Sequence, residues 1–96
     1  MSPSVSTKIP AFIKHSGRVA WRKVAGEAVI LDVETAAYFS LEGVGLRIWE
    51  LLGEKKNVEQ IVAALSEEYD EDEVVIRRDC EALLRRLLQE KIVEPA

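Results

Sequence analysis

Between residues 19 and 41 the hydrophobic and polar positions follow a period of two or form short apolar runs, and both patterns predict β-strands. Residues 19–24 (VAWRKV) alternate, and residues 28–33 (AVILDV) form an apolar run rich in β-branched side chains. Residues 36–41 (AAYFSL) separate into an apolar and a polar face. The connections are short and contain turn-forming residues, so the three strands are predicted to form an antiparallel meander.

From residue 44 onward the apolar positions recur at the spacing of an α-helix. The first helix is predicted from Val44 to a glycine stop at Gly53. The second starts at Asn57 with the pattern of a capping box. The third follows the acidic run 70–73, which suits the positive end of a helix dipole. Its apolar positions fall on one stripe: Ile76, Cys80, Leu83, Leu84 and Leu87.

The order of these elements predicts an α+β domain, a three-stranded antiparallel meander followed by three helices, of winged-helix type. Residues 1–17 show no period and contain two prolines, so we expect them to be a flexible basic arm. Residues 18–96 are expected to form a single domain, closed by a short apolar tail at Ile92 and Val93. The apolar arm residues Ile9, Phe12 and Ile13 could lie on the domain surface.

The charge is divided unevenly along the chain. The 96 residues carry 13 basic and 17 acidic side chains, a net charge of −4. Residues 1–25 contain five of the basic residues and none of the acidic ones, so the rest of the chain is strongly acidic. An acidic body argues against nucleic acid as the partner. No apolar run is long enough to cross a membrane, and the start has no signal-peptide pattern, so we expect a cytoplasmic protein without a membrane partner.

The residues that usually carry chemistry are scarce. One cysteine, Cys80, cannot form an internal disulfide and lies on the predicted core stripe. One histidine, His15, excludes a histidine cluster and is expected to be solvated within the arm. The acidic run 70–73 lacks the spacing of a calcium loop and is expected to cap a helix. We therefore expect no catalytic residues, no metal site and no cofactor.

Two arginine pairs on the third helix, at residues 77–78 and 85–86, are compatible with DNA binding. A winged-helix protein would insert this helix into the major groove. Here the helix starts with four acidic residues that would repel phosphate, and ion pairs with Glu81 would explain arginines on the same face. A small winged-helix DNA-binding regulator stays as the alternative function.

The third strand is at an edge if the meander runs in sequence order. Edge strands usually carry lysine, proline or a bulge that prevents pairing, and residues 36–41 contain no lysine or proline. An open edge beside a helix is suited to binding an added strand from another chain. The alternative is that residues 1–17 fold back and cover it.

The chain resembles the PqqD family, also called RiPP recognition elements, over about residues 19–94. An aromatic residue and a leucine end the third strand, and a glycine and a hydrophobic-Trp-x-Leu-Leu helix follow. The matching residues of these two elements are Tyr38, Leu41, Gly45, Ile48, Trp49, Leu51 and Leu52. The second-helix pattern matches at Val58, Ile61, Val62, Leu65 and Tyr69, and the third-helix pattern at Asp79 and the apolar heptad after it. Glu42 stands where the family commonly has Asn.

This resemblance implies a non-catalytic adaptor. Family members bind the leader of a ribosomally made precursor peptide as an extra antiparallel strand against the third strand, in a groove shared with the third helix. They present it to a modifying enzyme such as a radical S-adenosylmethionine enzyme or a leader peptidase. A proline-and-acid segment associated with the pyrroloquinoline quinone pathway is missing, so the chain looks as much like leader-binding proteins of lasso-peptide clusters.

The resemblance also implies which residues would form the groove. The strand wall is predicted at Ala37, Tyr38, Phe39, Ser40 and Leu41, and the helix wall at Val74, Arg77, Arg78, Glu81 and Leu84. Which side of the helix faces the groove is left open by the sequence. A monomer is expected, and a dimer formed through the same open strand edge is the alternative.

Overall fold

The sheet and the helices predicted from the sequence are present in the computed structural model, which describes residues 9–96. The strands are β1 (Ile13–His15), β2 (Val19–Val24), β3 (Glu27–Asp32), β4 (Tyr38–Glu42) and β5 (Val93–Pro95). The helices are α1 (Val44–Gly53), α2 (Val58–Tyr69) and α3 (Glu73–Gln89). The α+β class is confirmed: an antiparallel three-stranded sheet combines with three helices.

The sheet has the order β2-β3-β4 with both pairs antiparallel, so the predicted meander is confirmed and β4 is an edge strand. The central strand alternates buried and half-buried positions along its length. Its buried side chains, at Ala28, Ile30 and Asp32, face the helices. β2, in contrast, is exposed along most of its length.

Asp32 fixes the turn that leads into β4. Its Oδ1 accepts hydrogen bonds from the backbone N–H groups of Glu34 and Thr35, at 2.9 and 3.3 Å. Its Oδ2 accepts from Arg18 Nη2 at 2.7 Å. The guanidinium of Arg18 and these N–H groups hold the pKa of Asp32 below its usual range. The turn is therefore anchored at the end of β3 and to Arg18, the residue just before β2, and it sets where β4 begins.

The core lies between β3 and the three helices. The caps were predicted correctly at the second helix: Asn57 and Gln60 form a capping box with two hydrogen bonds of 2.8 Å. At the third helix Asp72 is the N-cap and accepts from the N–H of Val74 at 2.8 Å. The largest fully buried apolar side chains belong to Trp49, Ile30, Ile48, Leu52, Ile61, Leu65, Leu84 and Ile92.

Cys80 also belongs to the core, as its position on the apolar stripe of the third helix predicted. It is 1 % exposed and unpaired. Burial raises the pKa of its thiol to about 11, so the reactive thiolate is scarce at neutral pH.

Part of the arm expected at residues 1–17 is a strand, and the prediction of an irregular segment is corrected for residues 13–15. Ile13–His15 form β1, which pairs antiparallel with β5 near the other end of the chain. Ile13 is 3 % exposed and belongs to the core. Residues 1–8 of the predicted arm lie outside the described residues. Tyr69, assigned to the apolar stripe of the second helix, is also corrected: it is exposed at the helix end.

His15 is half-buried rather than solvated, which corrects a further expectation. Its ring stacks on Trp49 with a centroid distance of 3.7 Å and an interplanar angle of 9°. Its Nε2–H donates a hydrogen bond to the Trp49 carbonyl oxygen at 2.9 Å. Trp21 of β2 contacts both rings edge-on. The histidine thus ties β1 to α1, and burial lowers its pKa from the ordinary value.

We expect the domain to lose stability as the pH falls below about 6.5, the pKa of an unfolded histidine. The folded state favours neutral His15, so the unfolded chain binds more protons in this range and the free energy of unfolding decreases. Thermal unfolding between pH 7.5 and 5.5 measures this as a falling Tm. His15→Phe keeps a stacked ring but does not titrate, and it should flatten the dependence. An unchanged pH slope in this variant would contradict the role of His15.

Within the described residues, no helix has the length and apolar character needed to cross a membrane.

Candidate functional site

The outer edge of β4 is not covered by the described part of the N-terminal segment. β1 pairs with β5 and not with β4. The preceding residues run towards α2, where the carbonyl of Ala11 accepts from the N–H of Val58 at 3.0 Å. Residues 9–17 therefore lead away from the edge strand.

The hydrogen-bond register shows which backbone groups of β4 point outward. The N–H of Asp32 donates to the carbonyl of Ala37 at 2.9 Å. Phe39 and Leu41 lie two and four residues later, so their backbone groups also point towards β3. In an antiparallel ladder the residues between such pairs direct their N–H and C=O groups to the other side. Tyr38 and Ser40 therefore present unpaired backbone groups at the edge.

The side chains of β4 divide between the two faces of the sheet. Phe39 and Leu41 are half-buried and pack on the core, while Tyr38 is 71 % exposed. Ser40 is exposed and its hydroxyl donates to Glu27 on β3. Ala37, the first predicted wall residue, is half-buried and lies in the turn just before β4. The five strand residues are thus brought together along one edge.

Gly45, in the first turn of α1, marks the place where β4 and α3 approach each other. A methyl group added to Gly45 would lie 3.5 Å from Leu41 Cδ2 and 3.7 Å from Leu83 Cδ2. Leucines from the edge strand and from α3 therefore both reach this glycine. They form an apolar floor beside the open edge of β4.

Four of the five predicted helix-wall residues lie together, but not beside β4. Val74, Arg77, Arg78 and Glu81 line a shallow concavity of about 630 Å³ whose lining consists of α3 residues alone. Val74 is 74 % exposed there. The concavity is a second surface feature of α3, separate from the leucine floor.

The orientation of α3 follows from the partners of Arg77. Its Nη2 donates to Glu59 on α2 at 2.7 Å, and this guanidinium holds the pKa of Glu59 below its usual range. Glu81 lies on the same side, where it lines a pocket with residues 57–59 at the N-terminal end of α2. Arg77 and Glu81 therefore face α2, whereas Leu83 faces Gly45 and β4. The contact of these residues with a peptide stays a prediction.

Leu84, the fifth predicted helix-wall residue, is 0 % exposed. It lies in the core between the two sides of α3 and offers no side-chain surface to a groove, which corrects its assignment. Leu83, the α3 residue that does approach β4 at Gly45, is one that the sequence analysis placed within the core stripe. Its position at one margin of the stripe is the signal that could have identified it.

The described residues contain no group of three or more histidine, cysteine, aspartate or glutamate side chains arranged to hold a metal ion. What the β4–α3 site offers is an unpaired strand edge, an apolar floor and a neighbouring helix. This combination suits the binding of an extended peptide.

Comparison with known proteins gives one family and two solved structures. The family described as "Coenzyme PQQ synthesis protein D (PqqD)" matches residues 27–93. TbiB1, solved in complex with the TbiA(beta) leader peptide, is 38 % identical with a TM-score of 0.82. The match covers 86 % of this chain and 96 % of TbiB1. The search of curated proteins gave no match.

The second structure is a lasso peptide synthetase B1 complexed with its leader peptide. It has a TM-score of 0.81 over 88 % of this chain and 100 % of that one, at 20 % identity. At this identity the likeness shows the fold alone. The fold of residues 9–96 is therefore one that occurs in at least two structures solved with leader peptides.

Proposed function

The chain belongs to the PqqD family, and we propose that it is a non-catalytic adaptor for the leader of a ribosomally made precursor peptide. The leader binds as an added antiparallel strand on β4, beside α3. The observation that carries this proposal is the open edge of β4, with the outward backbone groups of Tyr38 and Ser40 next to the Leu41–Leu83 floor. TbiB1, the 38 % identical protein, was solved with a leader peptide.

The two walls have different roles in this proposal. Backbone hydrogen bonds from Tyr38 and Ser40 to the leader supply affinity that depends little on its sequence. Side chains of the leader that point towards the sheet meet the apolar floor formed by Leu41 and Leu83. Burial of apolar surface there selects leaders with hydrophobic residues at alternate positions. We place the helix wall on the Leu83 side of α3 and not on the Arg77 side.

The adaptor presents the bound leader to a modifying enzyme, and a radical S-adenosylmethionine enzyme and a leader peptidase are the two proposed classes. No cofactor is needed for this role, because strand addition requires only backbone and side-chain contacts. A cytoplasmic location and a monomeric state belong to the same proposal. Pairing of two β4 edges would block the leader site, so a dimer of that kind would compete with binding.

DNA binding, the alternative, is not supported by the comparisons. The end of α3 that would approach DNA carries Asp72 and Glu73, with two more acids just before them. Phosphate would be repelled from this end. The arginines Arg77 and Arg85 are engaged with carboxylates of the same chain.

The test is an NMR titration of the ¹⁵N-labelled protein with two probes: the TbiA(beta) leader peptide and the leader half of a precursor peptide encoded beside the gene. We expect amide shifts concentrated on residues 37–42, 45 and the α3 positions near 83. A 20-base-pair duplex DNA serves as the control and should cause no shifts. Absence of binding by both peptides, or shifts confined to the Val74–Glu81 concavity, would overturn the proposed site.

A further inference from the structure

Two oppositely charged side chains lie on the β4 side of α3. Asp79 precedes Leu83 by four residues and Arg86 follows it by three, so helical spacing places all three on one face. Leu83 is the residue that reaches Gly45 beside β4. Asp79 and Arg86 are both exposed, one turn before and one turn after the apolar floor.

Within residues 9–96, Asp79 and Arg86 have fewer or longer ion pairs than Arg77 of the same helix. Arg77 binds Glu59 and Glu73 with distances of 2.7 and 3.2 Å. No ion pair joins Arg86 to a carboxylate among residues 9–96. Asp79 contacts its sequence neighbour Arg78 at 3.6 Å, and both side chains of that pair are largely exposed.

We propose that Arg86 and Asp79 select the leader by its charge: the strand that binds on β4 carries an acidic residue facing Arg86 and a basic residue facing Asp79. This inference rests on the proposed function. Seven helical residues span about 10 Å, and an extended strand advances about 3.3 Å per residue. Both charged leader residues must face the same side of the strand, so they are two or four positions apart. Their order along the leader gives its register on β4.

The dipole of α3 explains part of the preference for an arginine at position 86. An arginine in the last turn interacts favourably with the negative end of the helix dipole. Such an interaction favours Arg86 at this end of α3, but it does not favour an aspartate two turns earlier on the same face. The pair together is complementary to a strand with two opposite charges. Partly exposed ion pairs are modest, so each is expected to change the peptide Kd roughly fivefold.

The experiment is a charge scan of the tighter-binding of the two leader probes, with Glu and separately Lys placed at each position. Fluorescence anisotropy gives the ratio of the Glu and Lys dissociation constants at every position. For the unmodified protein we expect one position that prefers Glu and another, two or four residues away, that prefers Lys. Arg86→Glu should invert the first preference and leave the second, and Asp79→Lys should do the reverse.

Two further variants serve as controls. Arg85→Glu makes the same charge change at the adjacent residue, which lines the α3 concavity together with Arg77 and Glu81, and it should leave both preferences unchanged. Arg86→Gln should remove the preference at its position without inverting it. Circular dichroism spectra and melting curves establish that each variant is folded.

The outcomes separate the two proposals. If the parent leaders bind but the Glu/Lys ratios are the same in Arg86→Glu, Asp79→Lys and the unmodified protein, the charge selection is wrong and the adaptor function stands. If Arg85→Glu inverts a preference instead, the assigned side of α3 is wrong. If neither parent leader binds the unmodified protein, the proposed function fails and the charge selection fails with it.

Discussion

Replacement of Ser40 by proline is expected to weaken leader binding roughly tenfold while the domain stays folded. The N–H of Ser40 points outward from β4, so proline removes a donor that the added strand would use and leaves the β3–β4 ladder intact. One net hydrogen bond contributes about 0.5–1.5 kcal/mol, and the proline ring adds steric interference with the incoming strand. About 1.4 kcal/mol corresponds to a tenfold change in Kd, which isothermal titration calorimetry with the two leader probes measures.

The sheet supplies a matched control for this variant at its opposite edge. The carbonyl of Arg18 accepts from the N–H of Val33, so every second residue after Arg18 bonds to β3. Lys23 lies between two such residues, and its N–H therefore points outward from β2. Lys23→Pro therefore also introduces a proline at an outward position of an edge strand, and it should leave peptide affinity unchanged. Equal affinity of Ser40→Pro and the unmodified protein would rule out strand addition on β4. Phe39→Pro is unsuitable because the backbone N–H of Phe39 points towards β3, so proline there would disrupt the β3–β4 ladder.

Leu84→Ala is expected to lower the free energy of unfolding by about 2–5 kcal/mol. Leu84 is fully buried on α3, so truncation removes apolar burial and leaves a cavity. Domains of this size have a total stability of roughly 5–15 kcal/mol, and a loss of this magnitude should lower Tm by more than about 10 °C. Urea or thermal unfolding followed by circular dichroism at 222 nm measures the change.

The peptide affinity of Leu84→Ala separates packing from recognition. Measured at 10 °C, where the folded state still dominates, it should match that of the unmodified protein, because Leu84 has no exposed surface. Val74→Ala is the matched control on the same helix: Val74 is 74 % exposed, and its truncation should change stability by no more than about 0.5 kcal/mol. An unfolding free energy unchanged by Leu84→Ala would contradict the assigned core position.

The elements that the sequence predicted correctly are those whose signals are local. The period of two over residues 19–41 and the capping box at Asn57 each lie within one element, so neither depends on distant residues. β1 and β5 are different: each has three residues, too few to show a period. Their pairing depends on partners at the other end of the chain, and so does the burial of His15 against Trp49.

The side of α3 that faces β4 could not be predicted from the sequence, for a geometric reason. The apolar stripe of α3 has two margins, with Leu83 near one and Arg77 near the other, and the sequence does not show which margin faces β4. Only the tertiary partners distinguish them: Glu59 on α2 binds one side, and Gly45 on α1 adjoins the other. The strand wall had no such ambiguity, because a meander has only two edges and β4 is the last strand.

The pairing of β1 with β5 bears on the order in which the protein assembles. The paired residues are roughly 80 positions apart in sequence, so their contact closes a loop that includes nearly the whole domain. The entropy of closing a loop grows with its length, and such contacts become favourable when the intervening chain is already compact. The strands and helices that form the peptide site are joined by short connections and need no such closure. We therefore expect the β2–β4 sheet and the helices to form early in folding and the N-terminal segment to dock late, when Ile13 completes the core.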